Sequence, residues 1–233
     1  MKPLLLDILA CPICKYFPLR LIILSWETSE NKFSQILEAF HKKNLDYLIK
    51  ATKIRRGKDI MDDSVVITRN DEILIRDEMV REDSNLFRYL KEVESKFENF
   101  TVMEDYTDEK RSSCLELIKS KIIKHILEKK NEIKNQETTK ISLDIQNQII
   151  NEILPDIYLL NWFFQFSEIE EGVIFCEKCN RWYPIIETIP QMLPDDLREK
   201  ENEINFLKKW EPQLPPEITK NGKPFNLKMD ENK

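Results

Sequence analysis

Two Cys-x-x-Cys pairs stand near opposite ends of this 233-residue chain, Cys11 with Cys14 and Cys176 with Cys179. Four thiolates in a tetrahedron are the ligand set of a structural zinc site, and two such pairs can supply all four. Zinc-ribbon pairs usually stand about 15–20 residues apart, whereas 162 positions separate Cys14 from Cys176. A shared zinc ion would therefore make the residues between the pairs an inserted domain whose two ends lie close together.

Two other interpretations of the cysteine pairs stay open. A redox disulfide of the thioredoxin type sits at a helix start after a strand, and neither pair has that setting. The cysteines could also be ordinary buried residues. That is the role expected of Cys114, which lies on the apolar face of a predicted long helix. Zinc is favoured, and the site would be structural because protein fills all four positions. Such turns often need a left-handed residue after the second cysteine, which Asn180 tolerates better than Lys15.

The composition excludes several classes of function. The chain has only three glycines, so it lacks the glycine cluster that phosphate loops and dinucleotide-binding or S-adenosylmethionine-binding Rossmann turns require. Its net charge of -6 disfavours a general nucleic-acid binder. Asp7 interrupts the N-terminal apolar run, and no run reaches membrane-spanning length, so the expected location is cytoplasmic.

The hydrophobic pattern predicts an α+β fold, in which a zinc-ribbon-like β domain with four cysteine ligands is built from both chain ends and contains an inserted, mainly helical domain. The zinc-ribbon domain would comprise residues 1–28 and 166–210, with strands in LRLIILSW, GVIFC and RWYPII. The insertion would comprise residues 29–165, with a hairpin at 64–75. Residues 211–233 are rich in proline and charge, which predicts a loosely packed C-terminal tail.

Apolar residues at helical spacing predict a series of amphipathic helices. They are expected over residues 29–51, 86–97, 108–135 and 142–154, from Pro155 onward, and over 195–210. Thr28 or Ser29 would cap the first helix. Pro155 would occupy the first turn of a separate helix, where its missing N–H costs nothing.

Residues typical of catalysis are sparse. The two histidines, His41 and His125, both lie in predicted helices, where a packed or solvent-facing role is expected. No nucleophile motif such as G-x-S-x-G occurs. The one compact basic stretch, residues 53–58, could contact a phosphate backbone but is better explained as a solvated loop.

The chain ends carry more large apolar side chains than one small metal site can bury. They are Leu4, Leu5, Leu6, Ile8, Trp182, Tyr183, Ile185, Ile186, Ile189, Met192 and Leu193. An apolar face beside the free edge of a strand is typical of a surface that binds another protein.

Two segments around the cysteine pairs, MKPLLLDILACPICK and EEGVIFCEKCNRWYPIIETIPQMLP, resemble one protein family. It is the small zinc-ribbon activator subunit that class I tRNA, rRNA and release-factor methyltransferases share, and the chain resembles its archaeal form. Short relatives join the two ends almost directly, whereas longer ones place a helical domain between them. The resemblance implies a non-catalytic partner that binds an S-adenosylmethionine-dependent methyltransferase as a heterodimer, keeps it soluble and activates it.

The resemblance also assigns roles to residues. Cys11, Cys14, Cys176 and Cys179 match the zinc ligands, and residues 183–193 match the strand that pairs with the enzyme. The residues assigned to partner binding are Met1, Lys2, Leu4, Leu5, Tyr183, Ile185, Ile186, Glu187, Thr188, Ile189, Met192 and Leu193. Contact with RNA would be possible only within the complex.

Two functions of other classes stay open. One is a stand-alone zinc-ribbon module that binds RNA or transcription machinery, which the acidic balance disfavours. The other is an enzyme housed in the helical middle, for which the sequence offers no catalytic motif.

Overall fold

The computed structural model describes residues 1–56, 60–70, 72–135 and 142–229. They form a mixed helix and strand structure, which confirms the predicted α+β class. In chain order the strands are β1 (Arg20–Trp26), β2 (Ile54–Arg56), β3 (Ile60–Asp62), β4 (Val66–Arg69), β5 (Ile73–Arg76), β6 (Ser84–Asn85), β7 (Met103–Asp105), β8 (Ile169–Cys176), β9 (Arg181–Ile186) and β10 (Ile189–Pro190). The α-helices are α1 (Glu30–His41), α2 (Leu45–Ala51), α3 (Leu86–Ser95), α4 (Phe97–Thr101), α5 (Glu109–Leu117), α6 (Ile123–Asn135), α7 (Leu143–Asn161), α8 (Lys200–Trp210) and α9 (Pro216–Thr219). Between or beside them lie 3-10 turns at Pro3–Ile8, Asp195–Leu197 and Leu227–Met229, and π-helical turns at Ile118–Ile122 and Trp162–Phe166.

A five-stranded sheet in the order β10-β9-β8-β1-β7 joins the two ends of the chain. β1 pairs antiparallel with β8, with Leu21 opposite Ile174, and β8 pairs antiparallel with β9. β7 comes from the middle of the chain and pairs parallel to β1. Because β1 and β8 are neighbours, the two ends of the segment between them lie close together, and β7 is a part of that segment that rejoins the sheet.

Alternate residues of the central strands face two separate apolar layers. Leu21 and Ile23 belong to a large core that also contains the inserted helices, whereas Ile22 and Leu24 belong to a smaller cluster on the opposite face. The other buried members of the smaller cluster are Val173, Phe175, Trp182, Phe206, Leu207, Leu214 and Ile218. Helices α8 and α9 thus cover the sheet face that the insertion leaves open.

The large core runs without interruption from the N-terminal turn into the inserted helices. It contains Leu6 from the start of the chain together with aromatic residues of the insertion. The ring centroids of Trp26 and Phe33 lie 5.1 Å apart, and those of Phe33 and Trp162 lie 5.0 Å apart, both edge to face. Each such contact adds about 0.5–1.5 kcal/mol to the burial of its rings. The division into two domains stays a prediction, since both parts share this core.

The first predicted helix is two helices in the structure. Ser29 caps α1 by accepting a hydrogen bond from the Lys32 backbone N–H, one of the two caps expected from the sequence. The chain then turns at Lys43, which has a positive φ of 52°, and Asn44 caps α2. A residue in the left-handed conformation ends a helix. The apolar residues keep their helical spacing across this break, so the spacing alone could not show that the helix is interrupted.

Pro155 does not begin a separate helix, because α7 runs through it without interruption. Proline inside a helix costs about 3 kcal/mol through a lost hydrogen bond and a clash. Ile150 and Ile153 before it and Ile157 after it are fully buried, and their burial offsets this cost. Asn151, whose carbonyl loses its partner, is exposed and can be solvated.

The segment after Trp210 packs against the sheet and does not form the loosely packed tail that its composition predicts. Leu214 and Ile218 are buried in the smaller apolar cluster. The indole Nε1 of Trp182 donates a hydrogen bond of 2.9 Å to the carbonyl of Phe225. The sheet face that this segment covers is built from distant strands, so its local composition could not indicate the contact.

Two small antiparallel sheets lie between α2 and α3. β2 pairs with β3, and β4 pairs with β5 in the region of the predicted hairpin, with β6 added to β5. Of the basic stretch 53–58, residues 57 and 58 lie outside the described residues. Among the helices that the structure describes, none combines the length and the apolarity of a membrane span.

Candidate metal centre and docking edge

The four cysteines of the two pairs meet at one point, with all their Sγ atoms within 4.8 Å of one another. Cys11 Sγ is 3.6 Å from Cys179 Sγ, and Cys14 Sγ is 3.5 Å from Cys176 Sγ. These distances are far beyond the roughly 2.05 Å of a disulfide bond. Four thiolates bound at about 2.3 Å around a tetrahedral ion would lie roughly 3.8 Å apart. The donor set therefore fits a metal ion held by four protein ligands.

Two matching turns present the cysteines. The Lys15 N–H donates to the Cys11 carbonyl over 2.9 Å, and the Asn180 N–H donates to the Cys176 carbonyl over 2.8 Å. Lys15 and Asn180 both hold a positive φ, 59° and 56° respectively. This confirms the expected left-handed residue after each second cysteine, even at Lys15, where the side chain is less suited to it.

Burial and hydrogen bonding act in opposite directions on the thiols. Burial opposes ionisation of Cys11, but hydrogen bonds from the Cys14 backbone N–H and the Tyr183 hydroxyl lower the pKa of its thiol to about 6. Burial raises the pKa of the Cys176 and Cys179 thiols above the usual range. A bound dication would reverse the second effect, because its charge stabilises the thiolate form.

Arg181 connects the second cysteine turn to the chain that follows β10. Its Nε and Nη2 donate to the Asp195 carboxylate over 3.1 and 2.8 Å, and this pairing keeps the pKa of the guanidinium above its usual range. Arg181 also hydrogen-bonds to the Cys179 thiol. The 3-10 turn that begins at Asp195 is thus held beside the metal centre.

The residues assigned to partner binding divide into a buried and an exposed set. Met1, Tyr183 and Ile185 are buried in the core of the chain itself. The exposed apolar members are Leu5 (37%), Ile186 (36%), Ile189 (59%) and Leu193 (40%), and Glu187 is exposed with them. Lys2, Leu4, Thr188 and Met192 are half-buried. Most of the exposed members lie on the β9–β10 hairpin and the residues that follow it.

The β9–β10 hairpin forms one edge of the main sheet. Gln191 N–H donates to the Pro184 carbonyl over 2.8 Å, so this N–H points inward toward β9. Because the backbone polar groups alternate in direction along a strand, those of Pro190 and Met192 point away from β9. Pro190 has no N–H, and its carbonyl accepts from the Met192 N–H over 3.1 Å. The outer edge of β10 is therefore short and partly blunted, as edge strands in natural proteins often are.

The other residues considered for chemistry lie away from the metal centre. Cys114 is fully buried in the core, as expected, and burial raises the pKa of its thiol. His41 is exposed at the end of α1. His125 Nδ1 lies 2.5 Å from Asp156 Oδ2, which is an interhelical contact between α6 and α7.

Sequence reasoning missed Leu197 and Arg198, which lie beside the hairpin. Leu197 is 62% exposed. Arg198 is buried, with its guanidinium carbon 5.1 and 5.2 Å from the ring centroids of Trp182 and Tyr183. It forms a two-point ion pair with Glu203, whose pKa is raised by burial. A single leucine within the charged run PDDLREKENE was the available signal.

Fold and cysteine cluster together make this chain a zinc-ribbon-like protein with a large helical insertion. The family model described as Trm112p-like protein matches residues 2–187. The chain therefore belongs to the Trm112p-like family, the activator subunits of methyltransferases. No curated protein and no solved structure matches it. Helices α8 and α9 lie beyond the matched residues.

Proposed function

We propose that the chain is the non-catalytic subunit of a heterodimer with a class I S-adenosylmethionine-dependent methyltransferase that acts on tRNA, rRNA or release factor. It binds the enzyme, keeps it soluble and activates it. Zn2+ held by Cys11, Cys14, Cys176 and Cys179 is a structural ion. Family membership supports the partner role, and the four-sulfur cluster supports the ion. Free thiols at all five cysteines suit the reducing cytoplasm.

The observation that carries the proposal is the position of the exposed apolar side chains relative to the cysteine cluster. The second cysteine turn leads directly into β9, and β9 leads into the hairpin that exposes Ile186 and Ile189. The first cysteine turn follows the 3-10 turn that carries Leu5. A metal ion bound to both turns would fix both apolar segments, so it serves the docking surface through the fold and not through chemistry.

The partner strand would lie along β10 and residues 191–193. The outward N–H of Met192 bonds only to the Pro190 carbonyl, two residues back, over 3.1 Å. Such tight three-residue turns are readily exchanged for the straighter bonds of an added strand. The buried residues Met1, Tyr183 and Ile185 would support partner binding indirectly, because their packing fixes the backbone of this edge. A stable complex of this kind buries about 800 Å² on each partner.

Purification of the tagged full-length chain from its native cells tests the proposal directly. We expect a methyltransferase, identified by mass spectrometry, to co-purify under gentle conditions. Ile189→Asp should abolish co-purification while zinc stays bound, because a charge would enter an apolar contact. The matched control is Leu143→Asp, an exposed leucine at the start of α7, away from the edge. Absence of any methyltransferase would refute the partner role, and retention by Ile189→Asp would refute the strand pairing.

Two further measurements separate this proposal from an RNA-binding module. Freshly purified protein should contain close to one zinc per chain, and much less would contradict the structural ion. The pure chain should not bind tRNA in a filter assay at physiological salt. Tight binding that falls steeply with salt would instead support direct recognition of the phosphate backbone.

A further inference from the structure

A groove of about 270 Å³ lies between the β9–β10 hairpin and α8. Pro184 and Ile186 form its wall on the sheet side, and Phe206 contributes from α8. The remaining lining residues belong to the connection between β10 and α8 and to the first turns of that helix. The groove therefore adjoins the edge that the proposed function assigns to the methyltransferase.

Three exposed apolar side chains line this groove together: Ile186, Leu193 and Leu197. Leu197 is the most exposed of them and stands on the 3-10 turn that the Arg181–Asp195 ion pair holds in place. Because the turn already fixes the backbone at Leu197, a partner that covers this side chain restricts only its rotamers. The groove is thus a preformed apolar site and not a loose patch.

The rim of the groove is acidic. Glu199 lines it, and Asp196 and Glu201 are exposed on either side in the chain. Arg198, the cationic residue among those that line the groove, is already paired with Glu203 through two nitrogens. Glu199 is thus the exposed lining carboxylate without a cationic partner on the groove wall, and its sequence neighbours Asp196 and Glu201 add negative charge to this stretch of the chain.

We propose that this groove receives a bulky apolar side chain of the methyltransferase, flanked by a lysine or arginine that faces Glu199. The inference rests on the proposed function, since it adds a second contact beside the strand pairing. One wall comes from β9, inside the residues matched by the family model, and the other comes from residues 191–206, beyond them. The groove thus gives this chain a means of selecting its partner that the matched residues alone do not provide.

Site-specific crosslinking in the purified heterodimer tests the groove. A photoreactive benzoylphenylalanine is placed separately at positions 197, 189 and 143 of the full chain, and the crosslinked products are mapped by mass spectrometry. We expect positions 197 and 189 to crosslink to the methyltransferase, and position 143 to give none. The methyltransferase residue that becomes crosslinked to position 197 should lie beside a lysine or arginine of that enzyme.

Binding measurements on the same heterodimer give an independent readout. Leu197→Asp should raise the Kd about tenfold or more, as loss of a buried anchor does. Glu199→Lys should slow association, and this effect should shrink at high salt. Leu197 is exposed, so both variants should keep one zinc per chain and the circular dichroism of the unchanged protein.

The outcomes separate the two proposals. If Ile189→Asp abolishes binding but Leu197→Asp leaves the Kd unchanged, the groove is not a contact, and the strand pairing stands. A crosslink from position 197 to a second copy of this chain would also overturn the groove proposal. If neither position crosslinks to a methyltransferase and neither variant changes the Kd, both proposals fail.

Discussion

Lys15 and Asn180 hold the same left-handed backbone conformation at equivalent positions of the two cysteine turns, with φ of 59° and 56°. Asparagine adopts this conformation readily, whereas for a lysine it costs roughly 1–2 kcal/mol. Lys15→Gly should therefore raise the free energy of unfolding by about 1 kcal/mol, and Asn180→Gly should change it much less. Urea denaturation of the metal-loaded variants measures both, and equal effects at the two positions would contradict this explanation.

Asp77 is a buried polar hub in the insertion, and its removal should be costly. Its carboxylate accepts hydrogen bonds from the Tyr89 hydroxyl at 2.6 Å, the Asn161 amide at 2.7 Å and the N–H groups of Met79 and Val80 at 2.8 and 2.6 Å. Asp77→Ala leaves these donors without an acceptor, so we expect a loss of about 3 kcal/mol or more from the free energy of unfolding. Tyr89→Phe removes one donor and should cost about 1 kcal/mol. Urea denaturation checks both, and an Asp77→Ala loss no larger than that of Tyr89→Phe would contradict the hub.

The same carboxyl group predicts a pH effect with a definite sign. Burial raises the pKa of Asp77 above 3.8, against the opposing effect of its hydrogen-bond donors. Between that value and the higher folded-state pKa, the folded protein holds a proton that the unfolded chain has lost. The contribution of Asp77 to stability is therefore largest below about pH 4 and declines as pH rises through the folded-state pKa. In Asp77→Asn this decline is absent, so the stability advantage of the unchanged protein over the variant should shrink as pH rises above about 4 in urea titrations. An advantage that grows with pH would contradict the shift.

Much of the fold could be predicted where the signal is local. The alternating strand in LRLIILSW, the capped helix after Ser29 and the two cysteine turns each depend on neighbours in sequence. β7 could not be predicted, because Met103–Asp105 becomes a strand only through parallel pairing with distant β1. The exposed hairpin was indicated by its surplus of apolar residues. The adjoining groove was not, since it exists only where α8 folds back across β9.

Gly222 allows the C-terminal segment to approach Trp182 closely. A Cβ at this position would lie 2.4 Å from the Ile218 carbonyl oxygen and 2.7 Å from Trp182 Cδ1. Gly222→Ala should therefore displace the segment from the sheet and lower the free energy of unfolding by about 1–3 kcal/mol, as overpacking does. Trypsin should cleave after Lys220 faster than in the unchanged protein, whereas the exposed neighbour variant Asn221→Ala should be cut at the normal rate. Unchanged cleavage in Gly222→Ala would mean that the segment is held by contacts elsewhere.

Removal of the metal should loosen the β9–β10 hairpin without unfolding the insertion. The ion would join residues 162 positions apart, and a cross-link over a loop of that length restricts the unfolded chain by about 5 kcal/mol. Without it, burial opposes ionisation of the Cys176 and Cys179 thiols, so these sulfurs lose the interaction that would join the two turns. We expect chelation to speed amide hydrogen exchange at least about tenfold in residues 11–16 and along β9 and β10. Exchange in the buried half of α7 should stay slow, because the π-helical turn that continues this helix is held by the contacts of Trp162 with Phe33 and of Phe163 with Trp26. Equal acceleration in α7 and in the hairpin would show that the ion supports the whole chain and not chiefly the edge.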